Sequence, residues 1–355
     1  MMCRSNKFIA LVVAFTFILS SLSLANHFQV NASQDSQSEK PQDKSKDKPQ
    51  DKKPSKPENP DGPDLVLNAD LVMLDVTVFD QANAQTIMNL AQKDFQVFED
   101  KSPQEITFFS KDQVPVSVVF TIDTSGSMRA KLDTIIKASK NLVKDSKKGD
   151  EMAVIEFKES PELLCEFTAD TQEVLDTLDG LVARSQTSML DAIYLAADYA
   201  KKDSKNRRRA LVVVTDGLDK ENYYKFDEVV KHLQESDTQI YLIGFTQDLD
   251  TDKGLFKKSS KEKAEALLSK LAVETGGRAF FPKELAEVHT IGQQISTDLR
   301  TQYAIGYYST NNKKDGTFRT VRVQVASPSN KKLVARTRSG YYAPTEDGSP
   351  AKQKP

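Results

Sequence analysis

Tryptophan is absent from this chain, histidine occurs three times and cysteine twice. Each scarcity removes a class of chemistry. Cys3 lies ahead of an N-terminal apolar run, so only Cys165 remains for the body of the chain and no intramolecular disulfide can form there. Cys165 itself reads as a small buried hydrophobe. His27, His232 and His289 fall in the leader and on expected helices, so no His-based metal site or Ser-His-Asp triad emerges. The formal net charge of −2 offers no basic face for nucleic acid. Arg207-Arg208-Arg209 is a local exception, expected to be a solvated edge leading into the strand at Ala210. Past the N-terminal leader, no segment is apolar enough to cross a membrane.

What is present begins with an export signal. Arg4 and Lys7 precede an apolar run from Phe8 to Leu19, followed by small residues with cleavage expected after Ala25 or as late as Ala32. The run is shorter and more serine-rich than the roughly 20 apolar residues of a spanning helix. A cleaved signal is therefore expected, with the mature chain in the periplasm, the cell envelope or the medium. An uncleaved anchor is the alternative, and membrane attachment is expected only in that case. Residues 34–63 consist almost wholly of Gln, Asp, Lys, Ser, Glu and Pro, which cannot bury enough apolar surface to order themselves. Their prolines favour an extended spacer, either a tether or a solubilising leader.

Strand and helix signals then divide the rest. Leu71 and Met73, with Asp75 breaking the count, then Val76 and Val78, and the run Phe95–Phe98 read as strands, as do Tyr303–Tyr308, Thr320–Val325 and Leu333–Ala335. Neither flank has many strands of its own, so the two are expected to meet in one small β-sandwich. Between them strands alternate with helices. Leu132, Ile135, Ile136, Leu142 and Val143 form one apolar stripe, and later helices carry Leu267, Leu268, Leu271 and Val288, Ile291, Ile295, Leu299. This alternation predicts an α/β fold with a doubly wound, mostly parallel sheet wrapped by helices. The expected organisation is signal 1–25, disordered linker 26–63, N-terminal β segment 64–112, α/β domain 115–301, C-terminal β segment 302–344 and disordered tail 345–355.

Chemistry concentrates where the first central strand ends. In Val118-Val119-Phe120-Thr121-Ile122-Asp123-Thr124-Ser125-Gly126-Ser127-Met128 an apolar run stops at an acid followed by two alternating hydroxyls. Ligands in open α/β sheets bind outside the carboxyl ends of the strands, and short oxygen donors there suit a hard divalent cation. Other readings stay open at this level. Asp123 can be a loop-capping acid, and Ser125 and Ser127 can cap a helix beginning near Met128. Thr187 can be a helix N-cap, Asp216 an ordinary turn residue, and Asp191 an acid favoured by the helix dipole.

The Asp-x-Ser-x-Ser of Asp123, Ser125 and Ser127 resembles the metal-ion-dependent adhesion site of von Willebrand factor type A domains. Thr187, in Thr187-Ser188-Met189-Leu190-Asp191, and Asp216, in Val214-Thr215-Asp216-Gly217, resemble the family's threonine and second acid, in the expected order. Lys93-Asp94-Phe95-Gln96-Val97-Phe98-Glu99-Asp100 before the domain and Gly340-Tyr341-Tyr342-Ala343-Pro344 after it resemble a secreted bacterial subgroup described in acidobacteria. That subgroup carries two glycines before the threonine, where this chain has Ser185-Gln186.

The resemblance implies a divalent cation held by Asp123, Ser125, Ser127, Thr187 and Asp216. Mg²⁺ is favoured by the short ligand arms, with Mn²⁺ or Ca²⁺ as alternatives. It further implies a partner protein whose Asp or Glu carboxylate fills the cation's open position, in an adhesion or assembly module that is not an enzyme. A metal-free scaffold of the cell envelope is the alternative. A Mg-dependent phosphohydrolase fits less well, because aspartate-nucleophile phosphatases place a second Asp where Ser125 stands, and no Gly-x-Ser-x-Gly elbow is present.

Overall fold

The computed structural model describes residues 71–346 except 84, 184–186, 219–221, 250–258 and 328–331. The expected signal, the proline-rich linker, most of the tail and Ser185-Gln186 lie outside the described residues. In chain order the first strands are β1 (Leu71–Asp80), β2 (Phe95–Glu99), β3 (Ser102–Gln104) and β4 (Ile106–Ser110). The central part runs β5 (Val116–Asp123), α1 (Leu132–Lys144), β6 (Glu151–Phe157), β7 (Pro161–Thr168), α2 (Thr171–Asp179), α3 (Met189–Asp203), β8 (Arg208–Thr215), α4 (Phe226–Glu235), β9 (Thr238–Gly244), α5 (Ser260–Thr275), β10 (Arg278–Phe280) and α6 (Glu287–Arg300). The chain closes with β11 (Tyr303–Tyr308), β12 (Phe318–Val325), β13 (Leu333–Arg336) and β14 (Gly340–Tyr342).

The central sheet has the order β10-β9-β8-β5-β6-β7, parallel except for β7, which pairs antiparallel with β6. Every residue of β5 is buried, as a strand covered on both faces must be. Its alternation feeds two cores. Phe120 and Ile122 pack with α1, α2 and α6, whereas Val119 packs with α3, α4 and α5. Because β5, β8 and β9 are parallel, their carboxyl ends lie along one edge, and that edge carries Asp123 and Asp216. Helix α1 starts at Leu132 rather than near Met128. A 3-10 turn over Gly126–Met128 intervenes and buries the Met128 side chain completely.

The flanking strands form two antiparallel sheets, β13-β1-β11-β4 and β14-β12-β2-β3. The N- and C-terminal flanks pair directly, with Leu71 opposite Tyr308 and Val76 opposite Tyr303. The shared core of this sandwich holds Val72, Leu74, Val76 and Val78 from β1, with Phe95, Val97, Tyr303, Ile305, Tyr307, Val321 and Val323. The phase of β1 therefore differs from a reading centred on Leu71 and Met73. Those two share the opposite face with Asp75, whose charge belongs to the outward set.

Asp75 also corrects the expectation for the arginine run. Arg208 is only 2% exposed, and its Nη2 lies 3.0 Å from Asp75 Oδ1, while its Nη1 donates to the Leu299 carbonyl at 3.3 Å. Arg207 reaches the same Asp75 oxygen at 2.7 Å. Arg336 of β13 pairs with Asp298 of α6 at 2.5 Å, and Arg338 with Asp237 at 2.9 Å. Of the run only Arg207 is exposed, while Arg208 is buried and Arg209 half-buried. The run is half of a charged seam that fastens the sandwich to the amino ends of the central strands.

Candidate metal site at the carboxyl end of the central sheet

Asp123 ends β5 with no solvent exposure. Both carboxylate oxygens are held. Oδ1 accepts the Ser125 backbone N–H at 2.9 Å, and Oδ2 accepts the Thr215 hydroxyl at 2.8 Å. Ser125 is buried and occupies the N-cap position of the 3-10 turn in extended conformation, yet its side chain makes no capping bond. Its Oγ lies 3.1 Å from the exposed Ser127 Oγ. The simple capping alternative for these serines thus finds no hydrogen bond to support it. Between them and the sheet, Thr124 is tied to β6, its N–H to the Phe157 carbonyl at 3.0 Å and its hydroxyl to Glu156 Oε2 at 3.2 Å.

Asp216 follows β8 directly and is 3% exposed. Its Oδ1 accepts the Leu218 N–H at 2.9 Å, the local turn that aspartate favours. Gly217 between them has φ +76°, and a Cβ there would sit 3.0 Å from the Ala264 Cβ. Glycine is thus required by conformation and by space. Its N–H donates to Thr215 Oγ1 at 3.1 Å.

Thr187 is buried one residue before Ser188, the N-cap of α3, so it is not itself the cap. No hydrogen bond joins it to the other four residues, although the start of its helix is braced from two sides. Ser188 donates its N–H to the Lys158 carbonyl at 3.0 Å and its hydroxyl to the Glu159 carbonyl at 2.9 Å. Across the helix, Asn222 Oδ1 accepts the Leu190 N–H at 3.1 Å, and Asp191 accepts the N–H groups of Tyr223 and Tyr224 at 3.0 and 2.9 Å. Asp191 is thus a tie to the loop after Asp216, a role beyond complementing the helix dipole.

The electrostatics are unbalanced. Burial pushes the Asp123 carboxyl up to about 6, against the lowering effect of the Ser125 and Thr215 hydrogen bonds, and the charge of Asp216 adds to the rise. Among the described residues neither acid has an ion-pair partner, and no three His, Cys, Asp or Glu side chains gather as a ligand cluster. A buried carboxylate without a counter-charge is costly. Two acids and a set of hydroxyls are the oxygen donors a hard divalent cation takes, so the residues fit such an ion. Sequence reasoning passed over Thr215. The available signal was a hydroxyl residue closing the apolar run 210–214 immediately before the acid.

Residues 118–218 match the family model of the von Willebrand factor type A domain. No curated protein matches the chain. Among solved structures, BatB from Bacteroides thetaiotaomicron is 19% identical over 52% of this chain and 98% of its own, with a TM-score of 0.40. The vWF domain of the type V pili tip protein Mfa5 from Porphyromonas gingivalis is 16% identical over 53% and 97%, with a TM-score of 0.42. Proximal thread matrix protein 1 from the mussel byssus, with a zinc-occupied MIDAS motif, is 15% identical over 56% and 48%, with a TM-score of 0.43. Likeness at this level says nothing about what the present chain binds.

Proposed function

We propose that this protein is an exported, metal-dependent protein-binding module rather than an enzyme. In this reading Asp123 and Asp216 supply the charge that holds a divalent cation, and Ser125, Ser127 and Thr187 supply neutral oxygens. The observation that carries the reading is the pair of buried acids at one sheet edge with no cationic partner among the described residues. Mg²⁺ is the favoured ion because it accepts a few short protein donors and keeps the rest of its shell as water. The cation would supply an electrophilic position open to an Asp or Glu carboxylate of the partner. The residues around it would set affinity. The domain limits proposed for the module are 115–301, with the flanking β segments 64–112 and 302–344 as its base. Among the described residues no helix is long and apolar enough to cross a membrane.

Thermal unfolding of the purified chain in EDTA, then with millimolar Mg²⁺, Mn²⁺ or Ca²⁺, tests the site. An ion that binds only the folded state stabilises by about 2.7 kcal/mol at one hundred times its dissociation constant. A rise of several degrees is expected, absent from Asp123→Ala. No rise with any ion would favour a metal-free scaffold of the cell envelope. Steady release of phosphate from a phosphomonoester, lost in Asp123→Ala, would instead favour a phosphohydrolase.

A further inference from the structure

We propose that Thr215 is the positioning residue for Asp123, holding its carboxylate in the one orientation that leaves a lone pair of each oxygen free for a cation. The proposal rests on the metal-site reading above and names the group that makes the site rigid. A hydroxyl has one proton and two lone pairs. At Thr215 one lone pair is taken by the Gly217 N–H at 3.1 Å, which turns the proton toward Asp123 Oδ2 at 2.8 Å. The Ser125 N–H occupies Oδ1 in the same way at 2.9 Å. Each oxygen of Asp123 thus carries one fixed donor, and neither can swing.

Thr215 is well placed for this work. It has no solvent exposure, so no water competes for its proton. It stands on β8, which is paired on both sides, to β5 and to β9, and so cannot shift as a loop residue can. Burial alone does not produce such a bond in this sheet. Thr121, equally buried on β5, has no hydrogen-bond partner for its hydroxyl among the described residues. The same hydroxyl also receives the turn that carries Asp216, so one side chain holds both acids in register.

Partners that orient a metal ligand typically account for 10- to 100-fold in metal affinity. Mn²⁺ alone is the probe, measured on the full chain by calorimetry and by the paramagnetic resonance spectrum of the bound ion. Thr215→Val, which keeps the shape and removes the hydroxyl, should weaken Mn²⁺ binding by about 10- to 100-fold and broaden the bound-ion spectrum. Thr215→Ser, which keeps the hydroxyl, should stay within about threefold of the natural protein. Unfolding in EDTA reads folding separately, and if Thr215→Val does not fold, Thr215→Ala is compared with Thr215→Ser instead. Unchanged binding in Thr215→Val, or equal losses in the Val and Ser variants, would overturn the positioning role. If the natural protein itself binds no Mn²⁺, the site reading fails first and the role of Thr215 falls with it.

Discussion

The two ends of the same parallel strands differ in how often an acid meets a cation. At the amino ends three carboxylates meet arginines, whereas buried Glu151 is held by the Ser117 hydroxyl at 2.7 Å and the Lys205 N–H at 2.6 Å. Asp75 faces Arg207 and Arg208, Asp298 faces Arg336, and Asp150 takes both the Val116 N–H and Arg300. At the carboxyl ends Asp123 and Asp216 meet only backbone N–H groups and hydroxyls. The sandwich supplies a third case. Glu99 is buried and accepts hydroxyls from Tyr307, Tyr341 and Ser309 at 2.8, 2.9 and 2.5 Å. Hydroxyls beside an acid are therefore not in themselves the mark of a metal. At Glu99 all three point at one carboxylate, and burial and that charge push both tyrosines well above the usual phenol range. At Asp123 the charge of a second acid, Asp216, is felt, and the Ser125 and Ser127 hydroxyls lie 3.1 Å apart.

Removing a charge from the arginine-paired end should have the largest effect. Arg208→Ala would leave Asp75 short of its most buried partner and the Leu299 carbonyl without its donor. Breaking a buried pair in this way costs about 3–5 kcal/mol. Denaturant unfolding should show that loss, while the midpoint rise on adding Mg²⁺ stays as it is in the natural protein. Disappearance of that rise would mean that the two ends are not independent.

The unpaired end should reveal itself through pH. The Asp123 carboxyl moves from its ordinary 3.8 to about 6 on folding. Between those values the native state binds more protons than the unfolded chain, so stability is greatest below about pH 4 and falls as the pH rises through about 6. The gap corresponds to about 3 kcal/mol, and it should appear only without metal. In EDTA, unfolding from pH 4.5 to 7.5 should show this decline in the natural protein and not in Asp123→Asn. Saturating Mg²⁺ should oppose it, because a cation favours the ionised ligand. A flat profile in EDTA would mean that Asp123 is already neutralised by some other group.

What the sequence disclosed follows from range. The end of β5 was legible because an apolar run breaking into an acid is a local pattern, and the helical stripes of α1 and α6 were legible for the same reason. Arg208 was misread because charge near a strand looks like surface, and its partner Asp75 is 133 residues away. The phase of β1 slipped for a related reason, since Asp75 looked like an interruption until its ion pairs gave it a place. Strand β7 gave little signal because it is an edge strand, with Leu163 and Leu164 exposed at 42% and 37%. Thr215 had a local signal in its place before Asp216, but its partner Asp123 is 92 residues away and no local pattern names it.

A smaller effect is expected at the brace of α3. Asp191→Ala would free the N–H groups of Tyr223 and Tyr224 and loosen the turn that carries Thr187. The stability cost should be about 1 kcal/mol, as for the loss of a capping acid. Mg²⁺ affinity should fall as well if Thr187 is a ligand. A loss of stability with unchanged affinity would remove Thr187 from the set and leave the other four residues.

The smallest expected effect bears most directly on what counts as an unpaired acid. Near the carboxyl ends, Lys131 pairs with Asp248 at 2.7 Å and holds that carboxyl below the usual range. The Asp248 side chain is 77% exposed, so water and salt already screen it. Exposed pairs of this kind contribute between 0 and about 1 kcal/mol. Asp248→Asn should therefore shift the unfolding midpoint by no more than a degree or so and leave Mg²⁺ affinity within about twofold. A larger rise in the midpoint in EDTA, with weaker Mg²⁺ binding, would show that the released Lys131 ammonium reaches toward Asp123 or Asp216. The acids would then have a cation of their own within reach, and the contrast between the two ends of the sheet would narrow to a matter of which loop holds the lysine.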